Sequence, residues 1–130
     1  PAPYHSLNVG GGTGDDAQNI QINRERIKAL LDCSSLIGGH QVHGSSVLEV
    51  PLSPGSDQCD GLLTRAKDIG LLIKHADCQA AIFYDPVLNV IGNVHTGWKG
   101  NVQNIYHEAV QQITKLYGSK PENLLVGISP

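Results

Sequence analysis

The sequence predicts a mixed α+β fold, and three features support this prediction. Two segments, residues 16–32 and 102–117, repeat their apolar side chains at the spacing of amphipathic helices. Between and after these segments lie short apolar runs of the length typical of buried strands. No repeat, linker or low-complexity tract divides the chain. We therefore expect residues 1–130 to form one domain in which helices pack on mixed β-sheets.

Both predicted helices carry capping residues at their ends. Asp15 or Asp16 can cap the first helix, because a carboxylate there accepts backbone N–H groups that have no partner within the helix. Asn101 can cap the second helix in the same way. Gly118 suits the position just after its last turn, where the chain often takes a left-handed conformation.

The apolar runs predict a series of strands. They cover residues 35–41, 45–50, 61–64, 69–75, 79–84, 89–94 and 123–128. A turn at His43-Gly44 separates the first two, and Asp85 opens the turn of a hairpin between the fifth and the sixth. This hairpin would bring Cys78 and His95 to the same end of the sheet.

Composition excludes several classes of protein. Hydrophobic residues make up 40% and charged residues 16%, which is typical of a globular chain. The net charge of −3 argues against a nucleic-acid or anionic-membrane surface. No apolar run approaches the roughly 18 residues of a membrane span, and no segment has the pattern of a signal peptide. Three cysteines without a C-x-x-C pair favour a reducing, cytoplasmic setting over a disulfide framework.

Three residues with metal-binding or catalytic side chains lie at predicted strand ends. His43 stands beside Gly44, Cys78 lies between two apolar runs, and His95 leads into a glycine-rich turn. A lone cysteine between apolar strands is often a small core residue, so a structural role for Cys78 stays open. Two histidines and one cysteine also form a ligand set that zinc prefers, with a fourth position left for water or substrate. The spacing matches no compact zinc finger, so the fold would have to bring the three together.

The segment NVHTGWKG continues from His95 into the second predicted helix. Glycines at positions 97 and 100 allow unusual backbone angles and the close approach of a ligand. Lys99 adds a positive charge where helix N–H groups are unpaired. An anionic group could bind there, although Lys99 could equally be a solvated surface residue.

Several motifs, taken in order, resemble the YfiH-like family, which is also described as the multicopper polyphenol oxidase or laccase domain. The motifs are QVHG, CDGLLT, ADC, HTGWKG and GISP, and the resemblance covers essentially the whole chain. The resemblance implies a fold related to the catalytic domain of cytotoxic necrotizing factor toxins. The family pattern continues past the point that matches GISP, so we expect this chain to correspond to the first part of the family's domain.

The resemblance implies that His43, Cys78 and His95 form a catalytic metal site, with zinc as the usual metal. Copper is less expected, because multicopper oxidases use paired histidine motifs and this sequence contains no His-x-His. The implied activities are phosphorolysis of adenosine, inosine, guanosine or methylthioadenosine and hydrolytic deamination of adenosine.

The implied partners are purine nucleosides and phosphate, with no nucleic acid and no membrane, and a homo-oligomer is an option. Lys99, Arg24 and Arg65 are the candidate phosphate contacts. Asp77 and Asp60 are the candidate acid–base groups at the substrate.

Two other functions remain as alternatives. In the first, Cys78 is the nucleophile and His95 the base of a hydrolase or deamidase, which leaves His43 without a role. In the second, the domain binds a metal without catalysis. A structural zinc normally has four protein ligands, so His75 or Cys59 would have to supply the fourth.

Overall fold

The computed structural model describes residues 3, 4 and 6–130 and confirms the mixed α+β class. The helices are α1 (Ala17–Leu30), α2 (Trp98–Val102) and α3 (Ile105–Tyr117), with a 3-10 helix at Pro121–Asn123. The strands are β1 (Ser35–Gly38), β2 (Val47–Glu49), β3 (Gly61–Thr64), β4 (Ile69–Leu72), β5 (Gln79–Asp85), β6 (Val90–Thr96) and β7 (Leu125–Ile128). Within the described residues, no helix combines the length and the apolar character that crossing a membrane requires.

Two compact units make up the chain. The first comprises Pro1–Leu36 and Lys67–Gly70, and the second comprises Ile37–Ala66 and Leu71–Pro130. Among the candidate site residues, Arg24 belongs to the first unit and the others to the second. A single domain over residues 1–130 stays a prediction.

Helix α1 is the main element of the first unit. The side chain of Asp16 caps it by accepting a hydrogen bond from the backbone N–H of Gln18 at 2.8 Å, which confirms one of the two predicted caps. The predicted helix reached residue 32, whereas α1 ends at Leu30. Asp32 has a positive φ of 50°, so the chain leaves the helical conformation there.

A five-stranded mixed sheet organises the second unit, in the order β2-β3-β6-β5-β7. Strand β2 is parallel to β3, and the other neighbours are antiparallel. Strands β5 and β6 form the predicted hairpin, paired from Gln79 with Thr96 to Asp85 with Val90. As a consequence, β2, β3 and β5 begin, and β6 ends, at one edge of the sheet.

Strands β1 and β2 are shorter than the sequence predicts, and they do not pair with each other. Strand β1 pairs with β4 in a separate two-stranded sheet, and β2 pairs with β3. After β1, His40 forms only an isolated parallel bridge with Gln58, and the backbone N–H groups of residues 42–44 donate to the side chain of Asp60. Strand β4 likewise ends at Leu72, before the predicted residue 75.

Helix α3 packs on one face of the sheet and closes the core. Side chains along β5 alternate between the two faces of the sheet, so every second residue lies beneath α3. Phe83 on that face is 2% exposed, whereas its neighbour Ile82 on the opposite face is 61% exposed. The core cluster consists of Val47, Leu63, Ala81, Phe83, Val90, Val94, Ile105, Ala109 and Ile113.

The second predicted helix begins later than expected, at Ile105 of α3, and the expectation that Asn101 caps it is wrong. Asn101 lies inside α2, while Asn104 adopts a left-handed φ of 59° and caps α3 through its side chain. Val102, the first member of the apolar series, is 79% exposed. The break at Asn104 reorients the chain so that the face beginning at Ile105 covers the sheet. Gly118 ends α3 with a φ of 73°, as predicted.

The contact between α2 and the His43 loop gives a first prediction. A Cβ atom at Gly100 would lie 2.7 Å from the backbone oxygen of Gly44, so Gly100→Ala should force the two segments apart. We expect a loss of about 1–3 kcal/mol in the free energy of unfolding, measured in urea. Alanine favours a helix over glycine by about 1 kcal/mol, so the steric effect must exceed this gain.

The matched control is Gly127→Ala, because a Cβ atom at that residue meets nothing within 4 Å. This variant should unfold at or slightly above the urea concentration of the wild type, because alanine also favours a strand over glycine by about 0.5–1 kcal/mol. If Gly100→Ala proves as stable as Gly127→Ala, the close approach does not constrain the loop.

Candidate metal centre

Three side chains that are far apart in the sequence meet at the edge of the sheet. A ring nitrogen of His43, the Sγ of Cys78 and a ring nitrogen of His95 all lie within 4.8 Å of one another. His43 is in the loop between β1 and β2, Cys78 directly precedes β5, and His95 is near the end of β6. The structure therefore brings together the set that the sequence singled out.

The group extends from the core to the solvent. His95 is 2% exposed, Cys78 is half-buried and His43 is exposed. The two imidazole rings are nearly perpendicular, with an interplanar angle of 89° and 4.9 Å between their centroids. His43 is therefore the member of the group that faces solvent.

A buried carboxylate orients the ring of His95. Nδ1 of His95 donates to Oδ1 of Asp60 at 2.8 Å, and the backbone N–H of His95 donates to the carbonyl oxygen of Asp60 at 2.6 Å. A carboxylate oxygen can only accept, which places the ring proton on Nδ1. The lone pair of Nε2 is then free to bind a ligand.

The same carboxylate holds the loop that carries His43. The backbone N–H groups of Val42 and Gly44 donate to Oδ2 of Asp60 at 3.2 and 2.8 Å, and that of His43 donates to Oδ1 at 3.0 Å. Asp60 is 0% exposed, so the expectation that it exchanges protons with a substrate is wrong: the side chain is enclosed by the loop and by His95.

Gly97 passes close to all three side chains. A Cβ atom there would lie 3.0 Å from Cδ2 of His43 and 3.5 Å from both Sγ of Cys78 and Cε1 of His95. From the sequence, this glycine was expected to allow unusual backbone angles and the close approach of a ligand, but not to contact all three side chains. The sequence did offer one signal of this contact: Gly97 follows the candidate ligand His95 by only two residues.

The thiol of Cys78 is not activated by its protein neighbours. Burial raises its pKa, and the negative charge of Asp77 raises it further. Sγ also lies 3.6 Å from a carboxylate oxygen of Asp77. A catalytic cysteine nucleophile normally has a lowered pKa, so this environment favours a metal ligand over the nucleophile of a hydrolase.

The donor atoms fit zinc. Two imidazole nitrogens and one sulfur form a mixed nitrogen–sulfur set, and Zn–N and Zn–S bonds of about 2.0–2.3 Å place tetrahedral ligands roughly 3.3–3.6 Å apart. The observed upper limit of 4.8 Å lies within a small side-chain adjustment of that spacing. Copper accepts the same donors, so the residues alone do not select the metal.

Neither proposed fourth ligand joins the described group. His75 is exposed, and its Nδ1 lies 2.9 Å from the carbonyl oxygen of Cys78. Cys59 is fully buried, and this burial raises its pKa to about 11. Three protein ligands leave one position for water or substrate, which is the pattern of catalytic zinc sites.

The predicted substrate contacts have different surroundings. Lys99 is exposed, with Nζ 5.7 Å from the ring centroid of Trp98. Asp77 is exposed beside Cys78. Arg24 donates twice to the carbonyl oxygen of Val9 within the first unit, at 3.1 and 2.9 Å.

One further phosphate candidate, Arg65, has its guanidinium carbon 5.8 Å from the ring centroid of Tyr117. The roles of these residues at a substrate stay predictions.

Comparison with known proteins shows the family. The chain matches the multi-copper polyphenol oxidoreductase laccase family over residues 1–130. It is 34% identical over 140 residues to purine nucleoside phosphorylase YlmD of Bacillus subtilis, covering 98% of this chain and 50% of that protein. It is 28% identical over 130 residues to purine nucleoside phosphorylase YfiH of Escherichia coli K12, covering 98% and 52%.

Solved structures agree with this result. YlmD from Geobacillus stearothermophilus superposes with a TM-score of 0.89 at 26% identity, over 100% of this chain and 53% of that one. Bacillus licheniformis protein YfiH superposes with a TM-score of 0.85 at 27% identity, with the same coverage.

The chain therefore belongs to the laccase-like multi-copper polyphenol oxidoreductase family. Its relatives within that family are the YfiH and YlmD proteins, which confirms the resemblance drawn from the motifs. The chain spans about half the length of the curated relatives it matches.

The position of Gly97 leads to a second prediction. In Gly97→Ala, the added methyl group should displace the exposed His43 ring while leaving the core intact. We expect zinc affinity to fall about tenfold, as for other changes next to metal ligands, with little change in the urea midpoint. Competition with a chromophoric chelator measures the affinity.

Gly127→Ala again serves as the control, with unchanged affinity expected. Equal zinc affinities in Gly97→Ala and the wild type would show that the close approach has no bearing on metal binding.

Proposed function

We propose that this chain forms the His43–Cys78–His95 zinc centre of a purine nucleoside phosphorylase that also deaminates adenosine. The observation that carries the proposal is the meeting of these three ligand atoms, within 4.8 Å, at one edge of the sheet. The names of the Bacillus subtilis and Escherichia coli relatives support the choice of reaction.

The arrangement of the side chains suits a substrate that enters from solvent. Asp60 fixes the ring of buried His95, while exposed His43 leaves the outer side of the group accessible. Bound between them, zinc would supply Lewis acidity next to the purine, which is the requirement of hydrolytic deamination. The exposed side of His43 is the side from which the base of a nucleoside would approach.

Phosphorolysis adds the need for an anion site and a proton donor. Phosphate attacks the sugar carbon of the glycosidic bond, that bond breaks, and the purine leaves after it gains a proton. We assign the phosphate contact to Lys99 and the proton transfer to Asp77. Both side chains are exposed in the second unit.

The metal centre is preferred to a Cys–His hydrolase for two reasons. A hydrolase needs an activated thiol, whereas burial and Asp77 raise the pKa of Cys78. A hydrolase also gives no role to His43, although the loop that carries this residue is held by three hydrogen bonds to Asp60.

Metal content provides a third prediction. Purified wild-type protein should contain about one zinc per chain, and His43→Ala, Cys78→Ala and His95→Ala should each lose most of it. Elemental analysis by mass spectrometry measures the content. The matched controls are His107→Ala, which removes an exposed histidine, and Cys33→Ala, which removes a free cysteine of the first unit.

Both controls should keep the zinc. Full zinc content in Cys78→Ala would exclude the thiolate as a ligand. A wild-type protein that contains no zinc, together with a Cys78 that iodoacetamide alkylates rapidly, would favour the hydrolase instead.

The reaction itself gives a fourth prediction. Zinc-loaded protein, incubated with inosine and phosphate, should release hypoxanthine in a phosphate-dependent manner, and it should convert adenosine to inosine. Liquid chromatography separates these products. Cys78→Ala should lower both rates at least 100-fold, because the metal that polarises the substrate would be lost.

The Bacillus subtilis relative, assayed in parallel, is the positive control, since this chain spans half the length of that protein. If the relative forms hypoxanthine and the zinc-loaded chain forms neither product, the proposed activity is wrong for this chain.

A further inference from the structure

One buried carboxylate contacts two of the three proposed ligands. Asp60 is 0% exposed and accepts four N–H groups: three from residues 42–44 and one from the ring of His95. Each carboxylate oxygen receives two of them. All the donors therefore come from the chain segments that carry His43 and His95.

On the side of His95, the contact selects the form of the ring. The carboxylate accepts the proton of Nδ1, so Nε2 presents its lone pair. Histidine ligands of metals commonly have such a carboxylate partner, which fixes the tautomer and the ring direction. The backbone bond from His95 N–H to the Asp60 carbonyl holds the same two residues together at 2.6 Å.

On the side of His43, the contact holds a conformation that costs free energy. His43 is not a glycine, yet it has a φ of 58°, in the left-handed region. Three successive N–H groups around it point to one carboxylate, and such a concave arrangement of amides binds anions well. This backbone conformation directs the side chain of His43 toward Cys78 and His95.

We infer that Asp60 is the positioning residue of the metal centre and presents both histidines to the zinc. This inference rests on the proposed function, and it assigns Asp60 a role in holding the ligands rather than in contacting the substrate. Loss of the carboxylate should therefore weaken metal binding through two ligands at once, although Asp60 itself is not a ligand.

The isosteric variant Asp60→Asn tests this role. Whichever way the amide is turned, its NH₂ group faces two donors: the N–H of His43 and Nδ1–H of His95, or the N–H groups of Val42 and Gly44. One half of the arrangement must break. We expect a 10- to 100-fold loss of zinc affinity, measured by competition with a chelator.

A purely structural role for Asp60 would lower stability without changing the metal site. Phe83→Leu is the matched control, since it weakens the core without touching the carboxylate. The visible absorption of cobalt(II) bound in place of zinc reports the ligand geometry. Asp60→Asn should alter this spectrum and Phe83→Leu should not, with both proteins kept below their unfolding temperatures.

Nitrogen NMR of the metal-free wild type tests the inference independently of metal binding. His95 should carry its proton on Nδ1, and the amide protons of residues 42–44 should exchange slowly with solvent. If wild-type protein binds no zinc, the proposed function fails, and this measurement still shows whether Asp60 fixes the ring of His95 and the backbone of residues 42–44. A His95 protonated on Nε2, or wild-type zinc affinity in Asp60→Asn, would overturn the inference.

Discussion

The hydrogen bonds to the buried carboxylate of Asp60 are the interaction on which the proposed site depends. A carboxylate is costly to remove from water unless its oxygens are fully hydrogen-bonded, and here four N–H groups meet that need. The donors belong to residues 42–44, which precede Asp60 in the sequence, and to His95, which follows it. The hydrogen bonds to this one buried carboxylate therefore hold two histidines, which are far apart in the sequence, at the same place.

Sheet topology supplies the rest of the arrangement. Strand β6 lies between β3 and β5 and is antiparallel to both, so its last residues are adjacent to the first residues of its neighbours. This places His95 next to Asp60 on one side and Cys78 on the other. The core under α3 holds these strands, and the site lies at their edge. The apolar packing and the proposed metal chemistry are therefore separate in space but share the same three strands.

The parts of this arrangement that follow from local pattern could be predicted. The hairpin, the strand at 61–64 and the three candidate ligands came from apolar runs and from residues at their ends. The break at Asn104 could not be predicted, because the apolar series continued through Val102, and only packing on the sheet shows that this residue is exposed. The role of Asp60 was missed for a related reason. Its donors are 16 to 18 residues and 35 residues away, and no local pattern reports such contacts.

In the proposed site, His43, Cys78 and His95 hold one metal ion. X-ray absorption at the zinc edge is the decisive measurement, because it identifies the atoms bound to the metal. We expect one sulfur at about 2.3 Å, and nitrogen or oxygen atoms at about 2.0–2.1 Å that include two imidazoles. A zinc shell without sulfur, or with more than one sulfur, would contradict this arrangement.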